Sequence, residues 1–128
     1  MGWFSGNDRP GKAVNWTPLT AADQIYSAFD ADKQSPTLFF KHSTRCSISA
    51  MALNRFESEW NQDLDCDLLF LDLLKHRDLS NRIAEVSGIQ HESPQAILVV
   101  SGKVVYNASH NAISATQIEA ILKDIKQR

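Results

Sequence analysis

Leu68-Leu-Phe-Leu-Asp-Leu-Leu74 is apolar at every position but one. Such a run is too short to span a membrane, and it leaves no polar face for solvent. It predicts a strand covered on both sides, which requires a sheet with helices packed against each face. Thr37-Leu-Phe-Phe40 and Ala96-Ile-Leu-Val-Val100 have the same character. A chain of 128 residues holds one domain of this kind. At that size a chain buries roughly two-thirds of its unfolded surface, without disulfides or a structural metal.

Between these runs the period lengthens to that of a helix. Thr20-Ala-Ala-Asp23 has the form of a capping box, and Ala22, Ile25 and Phe29 follow at helical spacing. Ser35-Pro36 ends that segment. After Cys46, Ile48, Ala52, Phe56 and Trp60 form one stripe with Leu53 beside it, while Asn54, Arg55, Glu57 and Glu59 point elsewhere. A third helix shows Leu79, Ile83 and Val86 and closes at Gly88. Ser101-Gly102-Lys103 joins Ala96–Val100 to Val104–Tyr106 as a β-hairpin. Ser114-Ala-Thr-Gln117 then caps a last helix carrying Ile118, Ile121, Leu122 and Ile125. A short leading strand is expected near Val14–Trp16. Residues 1–13 are polar and turn-prone apart from Trp3 and Phe4, and read as an arm. The fold class is therefore α/β, a central mixed β-sheet flanked by helices. Thr37–Phe40 and Leu68–Leu74 should be parallel neighbours, Ala96–Val100 antiparallel to the first, and Val104–Tyr106 the edge.

Thirteen Lys and Arg stand against fifteen Asp and Glu, a net charge of −2. No basic excess is present to neutralise phosphates, so no nucleic-acid partner is expected. No apolar run is long enough to cross a bilayer, and no basic segment precedes a hydrophobic one, so neither a membrane partner nor a secretory signal is expected. Two cysteines are too few for a stapled secreted scaffold, which points to a reducing cytoplasm. The four histidines lack ligand spacing, so no metal is expected.

The chemistry sits at a junction, Lys41-His-Ser-Thr-Arg-Cys46-Ser-Ile-Ser49. A thiol between a strand and a helix faces unpaired backbone N–H groups and the positive end of the dipole. These favour thiolate over thiol, as does positive charge from Lys41 or Arg45. His42 is a further group able to influence it. The thiolate is the nucleophile, so Cys46 is the candidate catalytic residue. The alternative is a small, inert core cysteine. Cys66 lies in Asp63-Leu-Asp-Cys-Asp67, where three carboxylates discourage ionisation. It is a poor nucleophile.

A helix, a βαβ crossover and a ββα ending, with a thiol at that junction, form the thioredoxin arrangement. In it Cys46-Ser-Ile-Ser49 replaces the Cys-x-x-Cys of two-thiol redox proteins, and Ser49 takes the place of the second cysteine. Exchange then uses one thiol: Cys46 takes a small thiol from a mixed disulfide and waits for an external one. Ser93-Pro94, ahead of the third strand, is the turn expected to face the nucleophile with a cis peptide bond. It would leave the Ser93 backbone free to pair with an extended substrate.

Phe39-Phe-Lys-His-Ser-Thr-Arg-Cys-Ser-Ile-Ser49, with Trp3-Phe4, Leu68–Leu73, Asn81-Ile83-Ala84, Gly88, Glu92-Ser-Pro-Gln95 and Val104, Asn107-Ala-Ser-His110, resembles the YtxJ-like family, the monothiol bacilliredoxins. Around the thiol that family usually reads Thr-Cys-Pro-Ile-Ser; here Arg45 and Ser47 replace the Thr and the Pro. The resemblance implies a thioredoxin-like domain over residues 14–128, and removal of bacillithiol or a similar low-molecular-weight thiol from S-thiolated client proteins. It implies Cys46 as the catalytic residue, with Thr44, Arg45, Ser49, Ser93 and Pro94 as substrate-binding positions. No bound cofactor is implied; the small thiol is a co-substrate. Two alternatives stay open. An arsenate-reductase-like enzyme would also use one thiol, and would want several arginines around its oxyanion. A binding module would carry an unreactive Cys46. The oligomeric state is not legible.

Overall fold

The computed structural model describes residues 14–126. Five strands make one sheet: β1 (Thr17–Pro18), β2 (Thr37–His42), β3 (Asp67–Asp72), β4 (Gln95–Val100) and β5 (Lys103–Ser109), in the order β1-β3-β2-β4-β5. β1, β3 and β2 run parallel, β4 runs antiparallel to β2, and β5 runs antiparallel to β4. Four helices flank the sheet: α1 (Ala22–Ala28), α2 (Ser47–Glu59), α3 (Arg77–Ser87) and α4 (Ala115–Lys126), with a 3-10 turn at His110–Ala112 before the last.

All six residues of β2 are buried. Alternate side chains of β2 feed two cores. Leu38 and Phe40 pack with Ala52, Phe56 and Ile118 under α2 and α4. Phe39 packs with Ile25 and Ile83 under α1 and α3. The two-sided covering expected from the apolar runs is therefore present, as are the parallel β2–β3 pair and the antiparallel β2–β4 pair. β5 is the edge beside β4, with β1 at the opposite edge, and it runs three residues beyond the expected Tyr106. The hairpin closes through Ser101 and Gly102, at φ 51° and 81°. A Cβ on Gly102 would stand 2.8 Å from the Phe29 carbonyl oxygen, so both the backbone and the space require glycine.

Several expectations are corrected. The leading strand is Thr17–Pro18, because Trp16 turns instead into an aromatic pocket formed by Phe40, Phe56 and Phe70. The α1 cap is not built by Thr20 and Asp23. The Gln24 amide oxygen accepts the N–H groups of Thr20 (2.8 Å) and Ala21 (3.0 Å). On α2 the buried stripe is Ser49, Ala52, Leu53, Phe56 and Glu57, continued by Trp60, and Ile48 is 53% exposed. Glu57 enters the core because the Trp16 indole N–H donates to its carboxylate at 2.8 Å. β3 stops at Asp72, whose carboxylate accepts the Leu74 N–H and turns the chain away, leaving Leu74 exposed. Val86 is likewise exposed, with Ser80 buried on α3 instead. At α4 the Ser114 hydroxyl accepts the Gln117 N–H at 3.2 Å, the expected cap. Gly88, at φ 75°, ends α3. The arm at residues 1–13, with Trp3 and Phe4, lies outside the described residues.

Candidate active site

Cys46 is the N-cap of α2, with extended backbone and a half-buried, unpaired thiol. Its own N–H donates to the Ser43 carbonyl at 3.2 Å and its carbonyl accepts the Ala50 N–H at 3.1 Å, which fixes the turn entering the helix. Its side chain makes no capping hydrogen bond. Thr44 and Arg45 stand exposed beside it.

Beneath the loop lies Ser49, fully buried. Its hydroxyl accepts the Ser43 N–H at 3.1 Å and meets His42 Nδ1 at 2.8 Å. Burial, opposed by the Asp72 charge, holds His42 below its ordinary pKa. The neutral imidazole and the Ser49 hydroxyl share one hydrogen bond, whose donor is set by the ring's tautomer. The Ser43–Cys46 loop is thus pinned to the end of β2 by a pair invisible in the local pattern: His42 on the strand, Ser49 one turn into the helix.

Lys41 does not face the thiol. Successive strand side chains point to opposite faces, so while His42 faces α2, Lys41 enters the layer under α3. Its ammonium donates to His91 Nδ1 at 3.2 Å and to the Ser80 carbonyl at 3.5 Å. Burial pulls its pKa down to about 8. The basic neighbour left in sequence beside Cys46 is Arg45.

Ser93–Pro94 is cis, as expected. Lys41 pairs with Gln95 across β2 and β4, so the segment before Gln95 and the segment after His42 leave the same end of the sheet on adjacent strands. Pro94 is buried and Ser93 half-buried. The sequence therefore names residues that the fold brings to one end.

Cys66 belongs to the other end. It precedes β3, which runs parallel to β2 in register from Thr37–Asp67 to His42–Asp72. Five strand steps of about 3.3 Å put roughly 16 Å between the two ends. A disulfide tolerates a Cα separation of at most about 6.8 Å. The Cys66 thiol is pushed up to about 12, by burial first and by Asp67 and Asp65 next. Burial, the larger cause, was not readable from its acidic neighbours, and Asp63 is not among the causes. Among the described residues no group of His, Cys, Asp or Glu could hold a metal ion, and no helix is long and apolar enough to cross a membrane.

A proposed oxidoreductase with a thioredoxin fold superposes on this chain with a TM-score of 0.70 at 31% identity, covering 82% of this chain and 91% of its own. Thioredoxins of Malassezia sympodialis (TM-score 0.63, 15% identity, 88% and 92% covered) and Schistosoma mansoni (0.61, 16%, 87% and 98%) share the fold. With a cysteine at the N-cap position of α2 on that fold, the chain falls in the class of thioredoxin-fold thiol oxidoreductases. Within this class, the family described as monothiol bacilliredoxin BrxC matches residues 17–118, a span that includes Cys46, Ser49, Ser93 and Pro94. The chain belongs to that family.

Proposed function

We propose that the protein removes bacillithiol, or a similar low-molecular-weight thiol, from mixed disulfides on client proteins in a reducing cytoplasm, with Cys46 as its sole working thiol. The Cys46 thiolate attacks the small thiol's sulfur. A new S–S bond forms to Cys46, the client S–S bond breaks, and the client cysteine leaves as thiolate and takes up a proton. A second molecule of the small thiol then attacks the Cys46 adduct as its thiolate, releasing a symmetrical disulfide and regenerating Cys46. In this reading the exposed Thr44 and Arg45 beside the thiol, and the backbone of Ser93 in the turn just before β4, meet the substrate, while the buried Ser49 and Pro94 support the site from below.

One observation carries this reading. The position three residues after Cys46 holds a buried serine, and the chain's only other thiol stands at the far end of the sheet. A Cys46 adduct therefore has no thiol within the fold to resolve it. The test is release of bacillithiol from a singly modified client, followed by mass with and without free bacillithiol. Cys46→Ser should abolish release, and Cys66→Ser should leave it within about twofold of wild type. Equal loss in both variants would replace the one-thiol cycle by a two-cysteine one.

A further inference from the structure

We propose that Arg55 and the backbone of His110 brace the Ser93–Pro94 turn against α2, acting as positioning residues for capture of the client. The proposal rests on the one-thiol reading above. Arg55 sits two turns into α2, half-buried. It donates from one guanidinium nitrogen to the His110 carbonyl at 3.4 Å and to the Ile113 carbonyl at 3.2 Å. The His110 N–H in turn donates to the Pro94 carbonyl at 3.0 Å. One residue thus joins the helix that carries Cys46 to the turn on the adjacent strand.

The sheet register explains why the two meet. Gln95 pairs with Ser109 at the end of the β4–β5 ladder, so the residues just outside it, Pro94 and His110, fall opposite one another. His110 holds φ at 56°, a left-handed conformation that a non-glycine residue rarely adopts. It is kept there by its N–H, which donates to the turn, and by its carbonyl, which accepts from Arg55 on the helix and from the Ile113 N–H at 3.4 Å. The imidazole contributes little: it is exposed, 4.0 Å from the similarly exposed Glu92 carboxylate. The brace is therefore a backbone device anchored by Arg55. It sets where the turn stands relative to Cys46 and leaves the thiol's own environment alone.

That division decides the kinetics. Loosening the turn weakens client binding without altering the chemical step, so KM should move and kcat should not. In the full chain, Arg55→Ala should raise KM for an S-bacillithiolated client about tenfold, the effect of losing a charged hydrogen bond, with kcat within about twofold. Alkylation of Cys46 by iodoacetamide should proceed at the wild-type rate. Arg55→Lys, which keeps the charge and a donor, should recover most of the loss. His110→Gly retains both backbone groups and accepts a positive φ, so its KM should stay near wild type. His110→Val cannot hold that conformation comfortably, and its KM should rise as in Arg55→Ala. Unchanged KM in Arg55→Ala, or equal damage in His110→Gly and His110→Val, would overturn the brace. If the wild-type protein transferred no bacillithiol, the one-thiol reading itself would fail. Amide exchange at His110 N–H would then decide the brace separately: about tenfold faster exchange in Arg55→Ala supports it, and an unchanged rate refutes it.

Discussion

Cys46 and Cys66 are both unpaired and both half-buried, yet the sheet gives them opposite surroundings. Cys46 follows the C-terminal end of a parallel strand, where helix N–H groups collect and the following loop is open to a partner. Cys66 precedes the N-terminal end of the neighbouring strand, among carboxylates, with its thiol donating to the Asp67 carbonyl at 3.7 Å. On the proposed one-thiol reading, what separates the two is not fractional exposure but the end of the strand each occupies. In parallel sheets the C-terminal ends bring loops and helix N-termini together, which is why ligands and reactive groups gather there.

The sharpest way to break this comparison is to alkylate the native protein. At pH 8, iodoacetamide should label Cys46 at least ~100-fold faster than Cys66, because a thiol near 12 holds almost no thiolate there. Denaturant should bring the two rates together. Peptide mapping by mass checks both halves, and comparable native rates would remove the distinction.

Moving the second thiol to the working end should convert the chemistry. Ser49→Cys would put a thiol one helical turn from Cys46, making resolution intramolecular. The variant should form an internal disulfide and become reducible by a thioredoxin-type partner, as followed by non-reducing mass measurement. Persistence of the Cys46 adduct in that variant would show that position 49 cannot reach the nucleophile.

The buried groups at the two ends also titrate in opposite senses. Cys66 is raised from 9.0 to about 12 in the folded protein. Its contribution to stability is intact below pH 9 and falls as pH climbs toward 12, by ~1.4 kcal/mol per pH unit. Lys41 is lowered from 10.5 to about 8. Its contribution is lost as pH falls from 10.5 to 8 and gained in the reverse direction. Between pH 9 and 10.5 the two offset each other. Urea unfolding should therefore show stability declining from about pH 9 in Lys41→Met and rising from about pH 8 to 10.5 in Cys66→Ser. Identical pH profiles for the two variants would contradict the opposing burial of these groups.

A smaller effect tests the packing behind the site. Trp16→Phe keeps the aromatic contacts with Phe40, Phe56 and Phe70 but removes the indole N–H that donates to the buried Glu57 carboxylate. It should cost about 2 kcal/mol by urea unfolding and leave Cys46 alkylation unchanged.

The same division between apolar and polar burial marks what the sequence could tell. Strands rich in Leu, Ile, Val and Phe, and α4 with its Ser114 cap, were legible because burial there is apolar and periodic. The face of α2 was not: two of its core positions are Ser49 and Glu57, which look solvent-facing until His42 and Trp16 are known to meet them. Lys41 misled for the same reason, its partners Ser80 and His91 lying 39 and 50 residues away. Cys46 and Ser93–Pro94 were readable because their place between elements reveals them. Arg55 and His110 left no local signal, since their contribution is to backbone carbonyls and to a φ value that side-chain pattern does not encode.

The most direct measurement is peptide-resolved mass spectrometry of the protein taken from its own cells after oxidative challenge, with thiols trapped at lysis. A single low-molecular-weight thiol on the Cys46 peptide, with Cys66 reduced and no Cys46–Cys66 linkage, is the expected result. A Cys46–Cys66 disulfide, or an adduct on Cys66 with Cys46 unmodified, would contradict the account.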